Sequence, residues 1–145
     1  MDYTFYTPKD HVSEDQKKEI ADFLYEHLDQ FGDEHDAIMR CINFALDEEK
    51  KFGGFILISR DGKDITGAVV INKTGMAGYI PENILVYIAV HKDHRGKGLG
   101  KDLMLKTFDK AEGEIKLHVE PENPARFLYE KLGFTSKYLE MRLKQ

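Results

Sequence analysis

The sequence predicts an α/β domain in which a mixed β-sheet is flanked by helices, and three observations predict it. Two stretches in the first 51 residues carry apolar positions at helical spacing. Two β-rich segments then flank Asp61-Gly62-Lys63. From Ile84 to Val119 a strand, a helix and a second strand follow one another, and this order makes a right-handed parallel crossover. A length of 145 residues with 41% apolar positions suffices for one core, so a single domain over 1–145 is expected.

Residues 13–31 read as the first helix. Ser13 and Gln16 form a capping-box pattern, Ile20, Leu24, Leu28 and Phe31 recur on one side, and Gly32 is the stop. A second helix is expected over about 36–51, with Ile38, Ile42, Ala45 and Leu46 inward and a break at Gly53-Gly54. Phe55 to Ile58 and Ile65 to Ile71 form an antiparallel hairpin around the Asp-Gly turn. Residues 73–83, with Gly75, Gly78 and Pro81, read as a long loop. The apolar run 84–90 is a strand and leads into Arg95-Gly96-Lys97-Gly98-Leu99-Gly100. The next helix turns Leu99, Leu103, Phe108 and Ala111 inward, and 115–119 is a short strand. Asn123 caps a short helix that has Pro124 at its first position and Gly133 as its stop. A final strand is expected where Leu139, Met141 and Leu143 alternate with Tyr138, Glu140 and Arg142.

Composition excludes several classes of function. The net charge of −5 argues against a nucleic-acid partner, because such binding draws on cationic side chains. No apolar run approaches the roughly 20 residues of a membrane span, and no secretory signal precedes the first helix, so a cytoplasmic protein is expected. The single cysteine, Cys41, and the scattered histidines offer neither a disulfide nor a metal site. Charge is divided along the chain: residues 1–50 carry 14 acidic side chains against 5 basic ones, whereas the remainder is net basic by 4. The acidic half is either a set of solvated helix faces or an attractor of cationic ligands.

The Gly-rich turn is the strongest chemical signal. Three glycines at alternate positions let backbone N–H groups converge on an anion, and a helix N-terminus adds its partial positive charge. Lys92, Arg95, Lys97 and Lys101 surround it against Asp93 alone. Neither the triphosphate P-loop spacing nor the dinucleotide GxGxxG spacing is present.

Arg95, Gly98 and Gly100 fill the fixed positions of [Q/R]-x-x-G-x-[G/A], and the segment Ile88 to Gly100 resembles the acyl-CoA signature of the GCN5-related N-acetyltransferase (GNAT) superfamily. After 22 further residues, Asn123 to Phe134 resembles that family's second motif, N-x-A-x-x-x-Y-x-x-x-G-F. The resemblance implies the GNAT fold, a mixed, mostly antiparallel sheet with a central parallel strand pair flanked by helices. It also implies acetyl-CoA as cosubstrate. Backbone groups of Ile88, Ala89 and Val90 would pair with the pantetheine arm, and N–H groups of Arg95, Gly96, Lys97, Gly98, Leu99 and Gly100 would hold the pyrophosphate. Capping alone accounts for Asn123; the resemblance adds a contact to the cofactor arm.

The implied reaction moves an acetyl group directly from the thioester to a primary amine of a small molecule or peptide, possible cationic acceptors included. It needs a neutral amine and a proton for the departing thiolate. Tyr129 stands where the family places its tyrosine donor; the other reading is a core tyrosine. His118 is the candidate base or water relay, against a structural or cofactor-lining role, with Glu120 and Glu82 behind it. No metal is implied. Asp29, Asp33, Glu34 and Asp36 are candidates for drawing in the acceptor, and the final strand is a candidate surface for a homodimer. The alternative function is a non-catalytic acyl-CoA-binding regulatory module.

Overall fold

Long runs of β-branched and aliphatic residues build the centre of the molecule, because such side chains suit a pleated surface buried on both faces. In a computed structural model that describes residues 1–48 and 50–145, these runs form a five-stranded sheet in the order β1-β2-β3-β4-β5. Its strands are β1 (Asp2–Tyr6), β2 (Gly54–Asp61), β3 (Asp64–Lys73), β4 (Asn83–Val90) and β5 (Ile115–Leu117). The first four pair antiparallel, and β5 runs parallel to β4. β1 is not among the strands expected from the sequence, although Tyr3 and Phe5 carry strand-type side chains at alternate positions and both pack on the core.

Helices α1 (Glu14–His27) and α2 (His35–Ala45) cover one face. Ile20, Leu24, Ile38 and Ile42 there pack with Ile56, Ile58, Ala68 and Val70 of the sheet. The predicted box closes α1: the Gln16 N–H donates to Ser13 Oγ at 3.1 Å, and Gln16 Oε1 accepts from the Ser13 N–H at 3.0 Å. The helix stops at His27, and a 3-10 turn over Asp29–Phe31 completes the predicted span. The second helix ends at Ala45, short of the expected 51. Asp47 and Lys50 adopt positive φ in the turn that follows, and Glu49 lies outside the described residues.

Helices α3 (Leu99–Lys110) and α4 (Ala125–Lys131) cover the opposite face. Leu103 and Met104 are buried against Leu57, Val69 and Ile71. Gly67 permits this approach, since a Cβ there would fall 2.6 Å from Leu103 Cδ1. At the start of α4, Pro124 has helical φ and ψ, and Asn123 Oδ1 accepts from the Ala125 N–H at 2.9 Å, which is the expected cap.

The expected final strand is not formed. Residues 135–145 have no regular structure, and Leu139, Met141 and Leu143 are at least 82% exposed. Alternation gives a segment one apolar side, but a strand also needs a paired edge, and this segment pairs with none. The parallel pair therefore closes one side of the sheet instead of lying within it. Among the described residues no helix is long and apolar enough to cross a membrane.

The short β5 is held by a buried side chain at the start of β4. Asn83 Nδ2 donates to the carbonyls of Glu112 and Glu114 at 2.7 and 3.1 Å, and the Asn83 N–H donates to Glu114 as well. Asn83→Ala removes the donor to the Glu112 carbonyl and leaves Glu114 with the backbone N–H alone, and it is expected to cost about 1–3 kcal/mol. Urea unfolding measures it, and a loss under about 0.5 kcal/mol would show that β5 is held by other contacts.

Candidate active site

The β4 strand changes its pairing in the middle. Val70 pairs with Tyr87 and Ile71 with Leu85, so Val86 is an extra residue, a β-bulge. Pairing with β5 runs from Asn83 to Leu85 and extends no further. From Val86 to Val90 the side of β4 next to β5 is thus without a strand partner. The bulge also sorts the side chains. Val86, Tyr87 and Ala89 join the core under α1 and α2, while Leu85, Ile88 and Val90 join that under α3 and α4.

At the end of this open edge lies the Gly-rich turn. Val90, Arg95, Gly96, Gly98, Gly100 and Leu128 line an open cleft of about 250 Å³, with Leu99, His94 and Lys101 completing it. Gly98 sits at the N-terminal cap of α3 with φ +83°, where a β-branched residue is strained, and no other atom lies within 4 Å of the Cβ position. Gly100 lies close to α4, and a Cβ there would stand 3.3 Å from Leu128 Cδ2, a tight contact. Lys97 is exposed and, among the described residues, reaches the Asp93 carbonyl at 3.5 Å.

Arg95 does more than the sequence suggests. Its Nε donates to the Val90 carbonyl at 3.1 Å, and Nη2 donates to the His27 carbonyl at 2.7 Å. Nη1 faces Asp29 Oδ2 at 3.3 Å, and Lys92 Nζ faces Asp29 Oδ1 at 3.3 Å. The turn is therefore tied to the carboxyl end of α1. Between them His27 is buried, and its Nδ1 accepts from the Lys92 N–H at 3.3 Å. Its ring lies 4.2 Å from that of His91 and 4.7 Å from Phe23. Burial, together with the nearby His91, Arg95 and Lys92, holds His27 below the ordinary histidine range despite Glu26.

Tyr129 lies on α4 in the core beneath α3, edge-on to Phe134 at 5.9 Å. Burial pushes its hydroxyl up to about 12. His118 is exposed just beyond the end of β5. Cys41 is buried and pushed up to about 12, chiefly by that burial, which makes it inert as a nucleophile. Glu82 Oε1 accepts from the Glu114 N–H at 3.3 Å.

A second open cleft, of about 470 Å³, lies between α1 and α2 and is lined by Tyr25, Asp29, Gln30, Gly32, Asp33 and Glu34. Under it, the Tyr87 hydroxyl donates to Asp33 Oδ2 at 2.5 Å. Burial first, then Asp33, raises the Tyr87 hydroxyl far above the usual phenol range. Neither Tyr87 nor His27 was legible as a site residue, since their partners lie 54 and 65 positions away. Among the described residues no group of three or more His, Cys, Asp or Glu side chains could hold a metal ion.

A family model for the acetyltransferase (GNAT) domain matches residues 51–136, which takes in β2 to α4 and both motifs. The chain belongs to the GNAT acetyltransferase family. Solved structures agree in fold with this GNAT chain. The ribosomal-protein-alanine N-acetyltransferase from Brucella melitensis biovar Abortus is similar at 22% identity, with both chains wholly covered and a TM-score of 0.66. A transcriptional regulator from Bacillus halodurans matches at 18% identity over 99% of this chain and 100% of its own, with a TM-score of 0.70. A chain of the NatC complex, solved bound to Gag peptide and CoA, matches at 23% identity over 95% of this chain and 87% of its own, with a TM-score of 0.68. Among curated proteins, none matches. The GNAT assignment carries acyl-CoA-dependent acetyl transfer as the general chemistry of the family.

Because His27 is neutral in the folded protein and titrates near 6.5 when unfolded, the unfolded chain takes up its proton first as pH falls. Its contribution to stability is complete above about pH 6.5 and declines below it. The urea midpoint is expected to drop between pH 7 and pH 5, and to drop less in His27→Asn. Parallel declines in the two proteins would remove His27 as a source of the acid sensitivity.

Proposed function

We propose that this chain is an acetyl-CoA-dependent N-acetyltransferase that transfers the acetyl group directly to a primary amine of a small molecule or peptide. The observation that carries the reading is the meeting of an unpaired β4 edge with a Gly-lined cleft at the amino end of α3. The residues present fit the cofactor. Ile88, Ala89 and Val90 offer backbone groups to the pantetheine arm along the open edge, in the manner of an added strand. The N–H groups from Arg95 through Gly96, Lys97, Gly98 and Leu99 to Gly100 would take the pyrophosphate. Positive φ at Gly96 and Gly98 turns this backbone, and no Cβ obstructs it. Asn123 already accepts from the Ala125 N–H with its side-chain oxygen, which leaves its amide nitrogen as a donor and the oxygen's second lone pair as an acceptor for a contact to the cofactor arm.

When bound, acetyl-CoA supplies a thioester whose carbonyl carbon the amine attacks. Tyr129 retains its proton throughout the neutral range, because burial opposes the charged phenolate, and it hands that proton to the sulfur as the C–S bond breaks. His118, at the end of β5, is the proposed acceptor of the amine's proton, directly or through water. Asp33 and Glu34 border the cleft between α1 and α2 and favour an acceptor that carries positive charge.

Gly98→Val places a β-branched side chain at φ +83° in the phosphate turn, and it is expected to abolish acetyl-CoA binding while leaving a folded protein. Calorimetry showing unchanged affinity would remove the cofactor site. Tyr129→Phe keeps the ring and its packing and deletes the proton. Turnover of the best amine is expected to fall roughly 10²-fold or more with little change in stability or cofactor affinity. Turnover within about threefold of the parent would withdraw the role of Tyr129. A non-catalytic acyl-CoA-binding module would instead bind the cofactor and release no thiol with any amine.

A further inference from the structure

Asp29 occupies a place where a carboxylate is locally unfavourable. It follows the C-cap Leu28 of α1, at the negative end of the helix dipole, and its φ of +55° lies in the left-handed region. Glycine or asparagine would suit that backbone without the charge penalty. What offsets the penalty comes from far along the chain: Oδ1 faces Lys92 Nζ and Oδ2 faces Arg95 Nη1, each at 3.3 Å. Asp29 lines the cleft between α1 and α2, whereas Arg95 lines the Gly-rich cleft. One ion pair thus joins the two clefts.

We propose that Asp29 is an internal placeholder for phosphate, which holds Lys92 and Arg95 until the cofactor pyrophosphate takes them and is then released into the neighbouring cleft to bind a cationic acceptor. The inference rests on the acetyltransferase reading and deepens it, by naming how the cofactor site prepares the acceptor site. Three features support the exchange. The side chains of Asp29, Lys92 and Arg95 are 36%, 55% and 44% exposed, and ion pairs this open to water are weak. A pyrophosphate brings more charge and more acceptor oxygens than one carboxylate. Arg95 also need not move as a whole, because Nε and Nη2 stay on the Val90 and His27 carbonyls while Nη1 alone changes partner.

The exchange predicts a sign that an ordinary structural contact does not. If Asp29 competes with phosphate, Asp29→Asn, which tolerates the left-handed backbone, binds CoA about three- to tenfold more tightly than the parent at low salt, and the gain shrinks at high salt. If Asp29 merely braces the turn, the variant binds CoA equally or more weakly, and the proposal is overturned. The second measurement uses spermidine as a cationic probe, titrated by calorimetry with and without saturating CoA. The parent is expected to bind it at least about threefold more tightly when CoA is present, with the reciprocal effect on CoA, and Asp29→Asn is expected to lose that gain. An equal gain in both proteins, or none in the parent, overturns the release of Asp29. Failure of both proteins to bind CoA would overturn the acetyltransferase reading and this inference with it, whereas equal CoA affinity overturns the inference alone.

Discussion

The site depends on the point at which β4 and β5 cease to pair. Three rungs hold the strands together from Asn83 to Leu85, and Asn83 pins the far strand with its own side chain. At Val86 the bulge inserts a residue, the local twist increases, and the β5 edge no longer follows. Because the two strands are parallel, this opening lies at their shared carboxyl end, where the crossover also places the amino end of α3. A backbone edge that lacks a strand partner and a turn that lacks side chains therefore meet at one place. Had β5 paired along the whole of β4, a strand-like ligand would find no open edge there.

Electrostatics divides the same region. The chain is acidic overall, yet the turn after β4 gathers Lys92, Arg95, Lys97 and Lys101. Their charge is partly neutralised from within, through Asp29, and partly directed onto backbone carbonyls of Val90 and His27. The His27 ring, at the last position of α1, faces the turn and is held below the ordinary histidine range, where a further cation would repel its neighbours. The acidic residues of the α1–α2 connection lie across this boundary, and the Tyr87 hydroxyl anchors Asp33 to the sheet from below. The two clefts thus carry side chains of opposite charge and are joined by the Asp29–Arg95 ion pair.

Residues 135–145 show the limit of pattern alone. Leu139, Met141 and Leu143 alternate with polar neighbours as a half-buried strand does, and they are exposed. β1 shows the converse, for Tyr3 and Phe5 reach the core through a strand that pairs with β2 across at least 50 positions of sequence. Whether a β-rich segment joins a sheet depends on an available edge, and such edges are made by distant parts of the chain.

The sequence by itself determined the elements whose signals are local: the capping box of α1, the Asp-Gly hairpin, the glycines before α3, and the Asn-Pro start of α4. Those signals work through φ preferences and hydrogen bonds within a few residues, so they survive without knowledge of the fold. It also carried both family motifs, and with them the position of the candidate cofactor site. Only the tertiary structure decided that Arg95 spends its guanidinium on α1, that Tyr87 reaches Asp33, that Asn83 holds β5, and that Val86 bulges. Each depends on two segments brought together by burial of the intervening core, and spacing along the chain holds no record of such contacts.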